Sequence, residues 1–168
     1  MYRKLDEVIM FTDGACSGNG KKSAQAGIGV YFPNQEFNNI SKKFVLSPIT
    51  NQRAELYAIY EGLQLIVNSS TFNKITIYSD SLYSIKSLTE WIKNWEKCNW
   101  KTASKSPVKN LDILKPINDI LVKHEGKIFF KHVNSHTKNT DYGSLGNAQA
   151  DILAVGGKNI SDKIKISI

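Results

Sequence analysis

Four carboxylates stand where their neighbours argue against them. Asp13 and Asp80 close the apolar runs VIMFTD and ITIYSD, although aspartate is disfavoured in strands and costly to bury unpaired. Glu55 lies four residues before Ile59 and eight before Leu63, on the apolar face of a helical repeat. Asp151 shares a helix face with Ala154 and Val155. Taken singly, each is explained by a turn, a cap or a helix dipole. Taken together they suggest more. If the strands ending in Asp13 and Asp80 are parallel neighbours, all four acids meet at one sheet edge, where open α/β sheets bind ligands. Like charges that close drive protonation unless a cation joins them. All-oxygen ligands select hard divalent ions, Mg²⁺ or Mn²⁺. A pair of such ions is the established arrangement for displacement at a phosphodiester.

The elements that must position these acids follow from the hydrophobic period. Alternating or β-branched runs predict strands at residues 7–13, 26–32, 42–47, 74–79 and 127–133. From Thr50 the period becomes helical, with Leu56, Ile59, Leu63 and Ile66 inward and Thr50 or Asn51 placed to cap. A second helix carries Leu82, Ile85, Leu88 and Ile92 as its stripe. A third, at 111–124, turns Leu111, Leu114, Ile117 and Leu121 inward. A short helix follows Asn147, its candidate cap, and ends at Gly156 and Gly157. Hairpin strands followed by alternating helices and strands predict an α/β fold on a five-stranded mixed sheet.

At 168 residues the chain is expected to form one domain with a substantial core. Its net charge of +7 points to a polyanionic partner, nucleic acid before membrane. No apolar run approaches the length of a membrane span, and MYRKLDEV does not read as a signal peptide. Cys16 and Cys98 are too few for a disulfide framework, so a reducing, cytoplasmic setting is expected.

FTDGACSGNG, TNQRAELYAI, IYSDSLYSI, VNSHT and GNAQADILA together resemble the ordered motifs of the ribonuclease H type 1 family, from about Ile9 to Val155. The resemblance implies the ribonuclease H-like fold, a five-stranded mixed sheet with helices on both faces and its first and fourth strands adjacent. It implies endonucleolytic hydrolysis of the RNA strand of RNA–DNA hybrids with two Mg²⁺ ions, leaving 5′-phosphate and 3′-hydroxyl ends. By motif position Asp13, Glu55, Asp80 and Asp151 match the metal-binding acids, with Asp13 bridging both ions. His136 matches the loop histidine that assists proton movement or product departure. Fifteen residues separate it from Asp151, a longer interval than in many members, and Asp141 within it is a candidate to orient the imidazole. Asn19, Asn51 and Gln52 resemble residues that contact RNA 2′-hydroxyls, and Thr50 and Asn147 those around a DNA phosphate. Pro48 stands where some members place an arginine beside that phosphate. No separate hybrid-binding domain is expected, and the chain is expected to act as a monomer.

Residues 90–110 gather Trp91, Trp95 and Trp100 with Lys93, Lys97, Lys101, Lys105 and Lys109. Spacing of four gives a helix one aromatic and one cationic face. Lysines neutralise phosphates and aromatic rings pack on sugars or bases. The segment is similar to the basic protrusion with which some ribonucleases H grip the DNA strand. Two other readings share the fold. An integrase or resolvase relative generally lacks TNQRAEL and the tryptophan–lysine segment. A non-catalytic hybrid-binding module is favoured by loss of an acid, and all four are present.

Overall fold

The computed structural model describes residues 3–160. Five strands, β1 (Arg3–Ser17), β2 (Gln25–Tyr31), β3 (Ile40–Phe44), β4 (Ser70–Ser79) and β5 (Ile128–His132), form one sheet in the order β3-β2-β1-β4-β5. The β1–β2 and β2–β3 pairs are antiparallel, while β1–β4 and β4–β5 are parallel. The long helix α1 (Asn51–Ser69) packs on one face, over Met10, Ile28, Val30 and Ile77. Side chains alternate along a strand, so Gly27 and Gly29 present the opposite face of β2. There α5 (Tyr142–Lys158) lies directly on the backbone. Each fully buried aliphatic side chain of this core contributes roughly 1.5–3 kcal/mol.

Several boundaries differ from the sequence expectation, each for a local reason. β1 does not end at Asp13 but continues to Ser17. What ends there is the parallel pairing: β4 leaves β1 after Thr12↔Ser79, while the β2 ladder runs on through Asp13↔Gly29 to Ser17↔Gln25. β4 begins at Ser70, running straight out of α1, whose last turn Ser70 closes through its Oγ on the Ile66 carbonyl at 2.8 Å. β3 ends at Phe44, short of the expected Ser47.

The second helix is broken into α2 (Leu82–Lys86), a π-helical turn (Ser87–Trp91) and α3 (Ile92–Lys97). Leu82, expected inward, is 47% exposed, whereas Leu88 and Ile92 reach the core. After a loop at 98–110, α4 (Leu111–Lys123) follows as expected, with Leu114 and Ile117 fully buried. The last helix is longer than expected, 17 residues from Tyr142 to Lys158. It starts at Tyr142 because Asp141, not Asn147, caps it, accepting the Ser144 N–H at 3.0 Å. Among the described residues no helix is long and apolar enough to cross a membrane.

Candidate active site

Asp13 sits in β1 one residue past the point where β4 departs, and Asp80 follows the last residue of β4. Parallel neighbours therefore deliver both carboxylates to the same edge. Glu55 arrives from α1, which Thr50 caps by accepting the Arg53 N–H at 3.2 Å. The helix comes this close because Gly14 has no side chain: a Cβ there would lie 2.6 Å from Glu55 N. Asp151 arrives from the middle of α5, seated by Gly29 in the same way. The register pairs Gly29 with Asp13.

Carboxylate oxygens of Asp13, Glu55 and Asp80 lie within 4.8 Å of one another. Asp151 stands outside that trio but lines the same cavity of about 230 Å³, together with Asn51, Ser81, Ser135 and His136. Among the described residues no lysine or arginine lines it. Burial, reinforced by the charge of Asp80, pushes the Asp13 carboxyl up to about 8. Burial likewise raises Glu55 well above the carboxylate range, with the charges of Asp13 and Asp80 adding to it. Asp80 is raised by burial, against which the Asn147 amide and then His136 pull it down. Without a cation Asp13 holds a proton at neutral pH, and a cation among these acids would replace it. Glu55 Oε2 is buried with no hydrogen-bond partner, which suits a metal ligand. The donor set, all oxygen and anionic, fits a hard divalent ion.

The other expected residues fall into two groups. His136 lines the cavity from an exposed loop, in a left-handed conformation at φ 51°. Asp141 does not orient it; both its oxygens are used on Ser144, accepting the backbone N–H and the hydroxyl at 3.0 Å each. Asn19 Oδ1 accepts the Asn51 N–H at 2.8 Å, tying the β1–β2 turn to the start of α1 and leaving the Asn19 NH₂ to donate. Gln52 is exposed beside Asn51. Asn147 does not open a helix at the surface. It is buried inside α5, where its amide pulls the Asp80 carboxyl down against the effect of burial. Ser81, Ser135 and Gly14 line the cavity without having been singled out in the sequence. For Ser81 the signal was present: it follows Asp80 and caps α2, accepting the Ser84 N–H at 3.2 Å.

The tryptophan–lysine segment stands apart from the cavity. Trp91 is 40% exposed and meets Tyr83 edge-on at 6.1 Å. Trp95 and Trp100 instead pack partly buried against the core, and Lys115 lies over the Trp100 ring at 5.0 Å. Lys93, Lys97, Lys101, Lys105 and Lys109 are exposed.

The family model for RNase H matches residues 5–159. A ribonuclease H of Schizosaccharomyces pombe is 42% identical over 152 residues, covering 90% of this chain and 53% of that protein. The chain thus spans about half the length of that relative. A ribonuclease HI of Rickettsia prowazekii is 38% identical over 160 residues, covering 94% of this chain and 95% of its own. The solution structure of the PFV RNase H domain superposes with a TM-score of 0.69 at 25% identity, over 90% of this chain and 93% of that one. On that match across nearly the whole sheet and both helices that carry the acids, the chain belongs to the RNase H family of ribonucleases.

Proposed function

We propose that the chain is a single catalytic domain, acting as a monomer, that cuts the RNA strand of RNA–DNA hybrids endonucleolytically and leaves 5′-phosphate and 3′-hydroxyl ends. Two Mg²⁺ ions, or Mn²⁺ in their place, are held by Asp13, Glu55, Asp80 and Asp151. The observation that carries this reading is the trio of carboxylate oxygens within 4.8 Å of one another, buried in a protein whose net charge is +7. Bound divalent ions supply Lewis acidity to the attacking water and to the departing 3′ oxygen.

The chain's own residues do the rest. Gly14 and Gly29 let two helices press Glu55 and Asp151 toward Asp13, fixing the ligand spacing before any substrate arrives. Asn147 orients Asp80 through its amide. His136, at the cavity's exposed side, moves a proton to or from the cleaved phosphate. Asn19, Asn51 and Gln52 recognise RNA by its 2′-hydroxyls, which is how a protein separates RNA from DNA at one position. The Thr50 hydroxyl accepts the Arg53 N–H and keeps its own proton to donate to a phosphate of the DNA strand. Lys93, Lys97 and Lys101, with the exposed ring of Trp91 and the tryptophans 95 and 100 beneath, grip that strand further along.

The test is incubation with an RNA–DNA hybrid labelled on each strand, with Mg²⁺ and then with EDTA. Cleavage confined to the RNA strand, dependent on the metal and yielding 5′-phosphate ends, is expected. A 2′,3′-cyclic phosphate product, or equal cleavage of duplex RNA, would overturn the mechanism, because the first makes the RNA's own hydroxyl the nucleophile.

A further inference from the structure

We infer that Arg53 is a positioning residue that anchors the basic protrusion to the helix carrying Glu55, and thereby sets hybrid affinity without touching the hybrid. The inference rests on the reading of residues 90–110 as the grip on the DNA strand. Arg53 is only 3% exposed, yet its side-chain partners all come from outside its own helix. Nη1 and Nη2 donate to the two oxygens of Asp112 at 2.8 and 2.7 Å, a bidentate pair at the first turn of α4. Nη1 also donates to Asn110 Oδ1 at 3.4 Å, and Nη2 to the Ser47 carbonyl at 3.3 Å. Asn110 and Asp112 are where the protrusion returns to the body.

The protrusion's departure is tied to the same point. Asn110 Nδ2 donates to the Tyr83 hydroxyl at 2.9 Å. The Tyr83 ring packs edge-on to Trp91, and Trp91 packs against Trp95 at 6.0 Å. Between the two ends the loop is internally built. Trp100 N donates to the Trp95 carbonyl at 2.7 Å, Val108 N donates to the Trp100 carbonyl at 3.1 Å, and Lys101 bridges Pro107. Val108 is buried. A segment that holds its own shape can still swing at its base, and here the returning side meets the guanidinium directly and the departing side reaches it through Asn110. Arg53 lies two residues from Glu55 and next to Gln52, so one helical turn registers the lysines against the cavity.

The choice of residue supports a positional role. Arg53 is buried although its carboxylate partner is largely exposed, and a planar guanidinium fork fixes direction where a point charge would not. Arg53 even leaves its Nε buried without a partner, so the arrangement is not one optimised for stability alone.

The test is a double-mutant cycle read in KM and kcat, with thermal melting alongside. Asp112→Ala is the primary variant, since the Asp112 side chain is 60% exposed, and thermal melting reports what leaving Arg53 without its carboxylate costs the fold. It should raise KM for the hybrid about fivefold with kcat within about twofold, the split expected when only orientation of a remote binding surface is lost. Arg53→Lys, which keeps the charge but not the fork, should do the same. In a background where Lys93, Lys97 and Lys101 are alanine, Asp112→Ala should add nothing further, because the grip it orients is gone. If the lysine triple raises KM but Asp112→Ala leaves it unchanged, or multiplies it equally in both backgrounds, the anchor is overturned and the grip stands. If the lysine triple itself leaves KM unchanged, the grip reading falls and takes the anchor with it.

Discussion

Replacing Gly29 by alanine tests whether the sheet's glycines set the geometry of the proposed metal site. A Cβ at Gly29 would lie 2.5 Å from Ala154 N and 2.8 Å from Leu153 Cβ, with the Ala150 carbonyl oxygen nearer still. All but one of these obstructing atoms are backbone of α5, so no side-chain rotation relieves the clash. Restoring ordinary contact requires the helix to lift by about 1 Å, because close-packed interiors leave no slack to absorb it. Asp151 follows Ala150 directly and rises with it, away from Asp13. Overpacking of this kind costs about 1–3 kcal/mol of stability, which a domain stable by roughly 5–15 kcal/mol survives. A ligand displaced by about 1 Å costs on the order of 100-fold in the chemical step. Gly157→Ala is the control: its Cβ would meet the Lys42 backbone carbon at 2.7 Å, but at the far end of α5, six residues past Asp151. Both variants should melt lower by comparable amounts, while single-turnover cleavage with saturating Mg²⁺ falls sharply only for Gly29→Ala. Equal rates for the two variants at equal loss of stability would refute the reasoning.

Three further outcomes are expected. Asp13→Asn should abolish single-turnover cleavage while leaving the hybrid-binding isotherm nearly unchanged, since on the proposed reading affinity comes from backbone contacts elsewhere and the metal site acts in the transition state. Replacing Lys93, Lys97 and Lys101 together should flatten the plot of log affinity against log salt by about one slope unit per lost phosphate contact, measured by fluorescence anisotropy. Asp13 is raised from 3.8 to about 8 by burial and by Asp80, so the metal-free fold binds a proton the unfolded chain has lost. Its stability should therefore fall as pH rises across that window, and Mg²⁺ should restore it while releasing protons. Calorimetry in buffers of different ionisation enthalpy measures that release, and an Mg²⁺ heat independent of buffer would contradict it.

Asp13, Asp80 and Glu55 drew attention in the sequence because each sits against a local preference, while Asp151 stood out only through its motif. An aspartate closing a β-branched run and a glutamate on an apolar helical face need no tertiary information to look wrong. The elements around them were less legible, and the reason lies in the same residues that build the site. Gly14 made DGACS read as a loop, yet β1 continues through it, and the position is glycine because the α1 backbone rests there. Gly143 and Gly146 hid the first turns of α5, since glycine weakens a helical pattern. At Gly146 a side chain would enter the Phe11 ring, 2.6 Å from Cδ1, and at Gly143 it would meet Val133 Cγ1 at 2.9 Å. The long-range anchor was out of reach for a different reason. Arg53 and Asp112 lie 59 residues apart, and no periodicity links an arginine in one helix to an acid at the start of another. Local propensity thus erred where the chain spends it on close approach. Two helices must come within touching distance of the sheet for carboxylates from four segments to share one cavity, and the glycines that permit that contact are what obscure the helices and strands from sequence alone.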